Sequence, residues 1–217
     1  MQLATYTGII IDGAEERVLR FLATEWRYYD GIEDDEPNTI TVLDILAPVM
    51  VNAYMGTGAD QLRGIHLGLV AECEPVLAQI PVGADLRSFD PDFSIIRQLL
   101  HAAVSVRGVL LPVATKVLFR KRRQLIPMLD NVVIGYYLDA TGSRNLLDRT
   151  QDKRHAADVA VHVLKAFRED LVGCYAQLAD MSAAATRAGH PISPLRLLEF
   201  LVWSETEPRA YYRRPHD

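Results

Sequence analysis

Apolar residues recur along this chain at three- and four-residue intervals almost from end to end, the spacing of one face of an α-helix. Ala14 to Glu25 carries Val18, Leu19, Phe21 and Leu22 on one side, with Asp12 placed to cap it. A polar, acidic stretch from Trp26 to Asn38 interrupts the pattern. An apolar segment follows from Thr41 to Met55, with Thr41 and Asp44 at capping-box spacing and a kink expected at Pro48. Further helices are expected over 59–80, with a break at Pro75, and over 90–106, opened by Asp90-Pro91 and ended by Gly108. Short helices at 111–119 and 127–138 are joined by a basic connector. The pattern ends with helices over 152–172 and 175–187 and a last one, capped at Ser193-Pro194, that reaches Trp203. Period-2 alternation is weak, and only Gly8–Ile11 and Ile40–Leu43 qualify as short strands. The fold class this predicts is all-α, one domain over 1–217 built as two helical lobes, with a loose tail at 205–217.

Composition narrows the function only slightly. The 217 residues suffice for one sizeable core, and 49% hydrophobic with 24% charged residues is ordinary for a globular protein. The N-terminal segment lacks the basic and apolar blocks of a signal peptide, and no apolar run approaches the ~20 residues of a membrane helix. Two cysteines and no Cys/His cluster argue against a disulfide framework or a metal centre. The six histidines form no motif, so neither metal nor cofactor is expected. Together these features describe a cytoplasmic protein without a membrane partner.

The net charge of −5 makes the segment from Lys116 to Arg123 conspicuous, because it packs five cations into eight residues. At a connector between two short helices, Thr115, Lys116, Arg120, Lys121, Arg122 and Arg123 would surround a place where backbone amides and a helix N-terminus can face a phosphate. Lys116 itself sits within the apolar stretch VATKVLF, where desolvation would lower its pKa and make its amine a candidate nucleophile. Asp130 falls in the first turn of the following helix, where an acid complements the helix dipole.

Lys116 and Asp130, together with Ile126-Pro-Met-Leu-Asp130, resemble the helix-hairpin-helix signature of the DNA glycosylase superfamily. In more detail, Ala114-Thr-Lys-Val-Leu118, Lys121 to Asp130, Ser193 to Trp203 and Thr41 to Ala47 are similar to a family of glycosylase-like actinobacterial proteins, over roughly residues 25–204. The hairpin segment is 109–138, and Pro112–Thr115 stands where the signature has a glycine turn. The resemblance implies a two-lobed helical fold of the helix-hairpin-helix glycosylase type, with double-stranded DNA as partner and one nucleotide flipped into a pocket. By the same resemblance, Lys116 matches the Schiff-base lysine and Asp130 the aspartate that stabilises the developing sugar cation. Trp26, Tyr28 and Tyr29 are the candidates to line the base pocket, whereas Trp203 is read as core.

Three functions fit this reading. The first is a DNA reader that flips and senses a modified base, 5-methylcytosine in particular, without catalysis; the missing glycines favour it. The second is a base-excision glycosylase and lyase using Lys116 and Asp130. The third is an interaction module that does not bind DNA, which the acidic stretch from Glu33 to Glu36 would suit.

Overall fold

The computed structural model describes residues 2–24, 27–32, 36–53, 55, 58–88 and 93–206. It is an all-α protein, and its regular structure is helical apart from one two-stranded ribbon among the described residues. In that ribbon β1 (Leu3–Ala4) and β2 (Ile10–Ile11) run antiparallel, with Leu3 opposite Ile11. Gly8, at φ 95°, turns the chain between them. The segment 40–43, expected as a strand, instead leads into a helix, because Thr41 and Asp44 do form the capping box that starts α3 (Val42–Leu46). Pro48 then tightens the chain into a 3-10 turn over Ala47–Val51, ended by Asn52 in the left-handed region at φ 58°.

α1 (Ala14–Leu22) starts after Gly13 at φ 65°, and Asp12 does not cap it. The Asp12 carboxylate accepts from Gln2 instead. A short helix, α2 (Arg27–Gly31), lies within the stretch read as loop. α4 (Ala59–Leu77) keeps Pro75 inside its last turn without breaking. α5 (Ser94–Ser105) begins after the expected Asp90-Pro91 start, which lies outside the described residues. It packs against α4, α6 and α8. α6 (Leu111–Lys121), α7 (Asn131–Ala140), α8 (Ala156–Gly173), α9 (Tyr175–Arg187) and α10 (Pro194–Thr206) complete the order, with a 3-10 segment over Arg144–Gln151. Ser193 caps α10 by accepting from the Arg196 amide at 3.2 Å.

Two helices organise the interior. α6 is buried at every residue except Pro112, and it packs against α3, α5 and α8. Residues 195–202 of α10 are all buried, and this helix packs against α1, α7, α8 and α9. A helix enclosed on every side is normally apolar all round, yet α6 carries Lys116, Arg120 and Lys121, and α10 carries Arg196 and Glu199. Those five charges decide the character of the site. No helix among the described residues is long and apolar enough to cross a membrane.

Candidate functional site

The basic run is internal, which corrects the expectation of a phosphate-gripping loop. α6 continues through Lys121, so Arg120 and Lys121 belong to its last turn. Arg120 Nε lies 2.7 Å from one oxygen of Asp44, and Lys121 Nζ lies 2.6 Å from the other, with all three side chains at most 1% exposed. Burial alone would raise the Asp44 pKa, but hydrogen bonds from Lys121, Thr41 and Arg120 bring it below the ordinary carboxylate value. Arg122 is fully buried and donates to the carbonyls of Pro37, Lys121, Leu77 and Ile80 and to Asn38 Oδ1, at 2.5–2.8 Å. Arg123, half-buried, donates to the carbonyls of Asp30 and Ile32. Thr115 clips α6 to the next segment, accepting from the Leu129 amide at 3.0 Å. The physical reason is the set of backbone carbonyls offered by Asp30, Ile32, Pro37, Leu77 and Ile80: a guanidinium carries five donors in a fixed fork and can satisfy several of them at once.

A second tight turn between consecutive helices lies just before α6. α5 and α6 are joined by only Val106–Leu110. Gly108 takes φ 90° there, 3.3 Å from Ile65 Cδ1 to the position its Cβ would occupy. Arg107 and Leu110 are exposed beside that glycine, whose positive φ a side chain would disfavour.

Lys116 and Asp130 line the same cavity. This space of about 410 Å³ lies between α6, the N-terminus of α7, α10 and the 3-10 turn before Asn52. Its lining includes Asn52, Lys116, Asp130, Arg196, Glu199 and Trp203, and the volume falls in the range of ligand sites. Asp130 is the N-cap of α7, which starts four residues later than the expected 127, and its Oδ1 accepts from the amides of Val132 and Val133 at 3.0 and 2.9 Å. Lys116 is only 8% exposed, and its Nζ donates to the Val51 carbonyl at 3.1 Å. Burial lowers its pKa, although Asp130 and Glu199 draw it up.

Behind that wall is a buried charge network. Arg196 reaches Asp30 through Nε at 3.1 Å and Glu199 through Nη1 at 2.7 Å. Burial opposes its charge, but the two carboxylates hold its pKa above the ordinary value. Burial is also the main reason Glu199 is pushed up to about 7, with Arg196 countering and Asp130 and Asp30 adding to the rise. Glu199 Oε1 bonds Arg196, while Oε2 has no hydrogen-bond partner.

The aromatic candidates separate. Trp26 lies outside the described residues. Tyr28 is exposed and lines a different hollow, with Phe21 and His190. Tyr29 is fully buried, 6.0 Å from Phe119, and its hydroxyl donates to the Lys116 carbonyl at 2.5 Å, so it fixes α6 from the core side. Neither tyrosine lines the cavity with Lys116. Trp203, read as core, is half-buried on the cavity wall, with Phe200 at 6.4 Å between ring centroids. The residues missed were Arg196, Glu199 and Phe200. Their signal was present as an Arg and a Glu three apart within the apolar run LRLLEFLVW, one helical face carrying two charges toward the interior.

Comparison with known proteins adds a family and nothing more specific. Residues 14–206 match the model of a family of unknown function, DUF6308. No curated protein and no solved structure matches the chain.

Proposed function

The chain belongs to this DUF6308 family, and from the site itself we propose that it binds double-stranded DNA and takes one everted nucleotide into the cavity beside Lys116 and Asp130, with 5-methylcytosine as the base read. The observation that carries this reading is the gathering of a buried lysine, a helix-capping aspartate, polar Asn52, Asn131 and Glu199, and the aromatic pair Phe200 and Trp203 around one cavity. Flipped bases are recognised by such a combination of stacking surface and hydrogen-bonding edge. Val113 and Met128 add apolar wall against which a base methyl gains contact. In this reading the fold is of the helix-hairpin-helix glycosylase type, and the hairpin is the α5–α6 turn. The DNA backbone would be held there, at Gly108 and exposed Arg107, and not by Arg120, Lys121 and Arg122, which are buried. Fluorescence anisotropy on duplexes that differ only at one cytosine methyl tests it. Tighter binding of the methylated duplex, lost in Trp203→Ala, is the expected result; equal affinity for the two duplexes excludes the methyl reader, and no affinity for any duplex excludes DNA as partner.

A second reading, base excision, is favoured by the shared cavity of Lys116 and Asp130. A lysine whose pKa burial has lowered is more often neutral, and the neutral amine is the nucleophile. Its nitrogen would bond to the sugar C1′ as the N-glycosidic bond breaks and the base leaves with that electron pair and a proton, while the Asp130 carboxylate stabilises positive charge on the sugar; the C1′–O4′ bond then opens, O4′ taking up a proton, to leave the protonated imine. Borohydride reduction in the presence of DNA should then trap a covalent adduct that Lys116→Ala does not form.

A further inference from the structure

We propose that the outward face of α3 and of the 3-10 turn that follows it is the contact between two copies of this chain.

This segment is amphipathic in the opposite sense to a helix that faces water. Its only charged residue across Val42–Val51 is Asp44, and that side chain is buried against Arg120 and Lys121. Ile45, Ala47 and Pro48 are buried with it. Val42, Leu43, Leu46, Val49 and Met50 are instead 41–56% exposed. Their spacing, i, i+1, i+4, i+7 and i+8, keeps them on one side of the helical coil, so they form a continuous stripe that carries no charge. Single exposed apolar residues such as Leu19 and Val172 are ordinary, whereas a contiguous apolar surface of this kind marks a place of association.

Charge and area select the occupant. Nucleic-acid backbones are held by cations, and the stripe offers none. An uncharged apolar stripe is complementary to itself, which is what a two-fold contact between identical chains requires. The exposed parts of the five side chains amount to roughly 400 Å², about half of the ~800 Å² that each partner brings to a standard interface, which suffices for its apolar core. The stripe is also held ready. The capping box of Thr41 and Asp44 and the ion pairs of Asp44 fix α3, so little order has to be gained on association. Val51, Asn52 and Ala53 follow Met50 directly and line the cavity with Lys116, so the second copy stands beside the cavity mouth.

Sedimentation equilibrium of the full chain without DNA, over about 1–100 µM, tests the proposal. We expect the mass to rise from that of one chain toward that of two. Leu46→Glu and Met50→Glu place a charge in the contact and should each raise the dissociation constant at least about tenfold. Both side chains already face solvent, so the circular dichroism of the variants should match wild type. Val172→Glu, on α8, should leave the dimer intact. A chain that keeps the mass of one copy throughout overturns the proposal, and a loss of DNA affinity in Leu46→Glu would then assign the stripe to DNA. A dimer that both glutamates leave unchanged overturns it too, because another surface then makes the contact. Either failure leaves the nucleobase reading standing, since the measurement contains no nucleic acid.

Discussion

Asp44 shows how one side chain can determine the meaning of a whole basic segment. Its two oxygens engage Arg120 and Lys121, and the Thr41 amide and hydroxyl complete its shell. Both cations are buried, so removing the charge between them leaves two positive groups with weakened compensation in a dry site. Breaking a buried ion pair from one side is destabilising by ~3–5 kcal/mol. Asp44→Asn should therefore lower the midpoint of urea unfolding substantially, whereas neutralising an exposed pair such as Arg144 and Asp139 should change it by less than ~1 kcal/mol. Equal effects of the two changes would mean that the buried triad is not a structural centre. Arg122 follows the same logic with carbonyl partners, and lysine cannot replace it because a single ammonium cannot span four carbonyls and an amide oxygen.

At the scale of elements, the cavity depends on how α6, α7 and α10 begin and end. Asp130 serves two purposes: it caps α7 through Oδ1, and it contributes charge to the cavity wall. The two can be separated, because asparagine caps nearly as well as aspartate while alanine does not. Asp130→Asn should keep the thermal midpoint close to wild type, and Asp130→Ala should lose roughly 0.5–2 kcal/mol of stability. If excision occurs, both variants should lose it, since both lack the charge. A stable Asp130→Asn that still excises a base would remove the aspartate from the chemistry. The Thr115 hydroxyl and Tyr29 hydroxyl hold the opposite ends of this arrangement, one to the Leu129 amide and the other to the Lys116 carbonyl. Lys116 is thus presented by a helix pinned from two sides.

For the whole molecule, the charge distribution bears most directly on a DNA partner. The chain is net −5, and its densest cationic segment is folded inward. That segment is then withdrawn from phosphate neutralisation, and each phosphate contact it does not make removes about one unit of slope from the salt dependence of affinity. DNA binding by this protein should accordingly show a shallow slope of log affinity against log salt. Arg107→Glu, at the exposed α5–α6 turn, should weaken binding with the fold intact by circular dichroism. Reversing Arg120, Arg122 and Arg123 to glutamate should instead unfold the chain, because the first two are buried and the third donates to the Asp30 and Ile32 carbonyls. If that triple variant folds and merely loses DNA, the basic run is a nucleic-acid surface after all.

The sequence by itself determined the helical class and most element positions, since those rest on local rules. The period of apolar residues placed Tyr175–Arg187 to the residue, and the Thr41/Asp44 spacing announced a cap that forms. Capping was legible only where no glycine competed: at α1 the left-handed Gly13 displaced Asp12 from the role expected of it. Lys116 and Asp130 were singled out as residues, but that they line one cavity depends on how α6, α7 and α10 pack. What only the tertiary structure decided was the direction each charge faces. Arg120 to Arg123 look like a solvated run in one dimension, and they turn inward because distant carbonyls and Asp44 meet them there. Tyr29 moved to the core and Trp203 to the cavity wall for the same reason: composition says an aromatic is present, while the side it packs on depends on the helices that surround it. Glu199 acquired its unmet oxygen only when α10 was enclosed, because burial and partners are properties of the assembled fold and not of the residue.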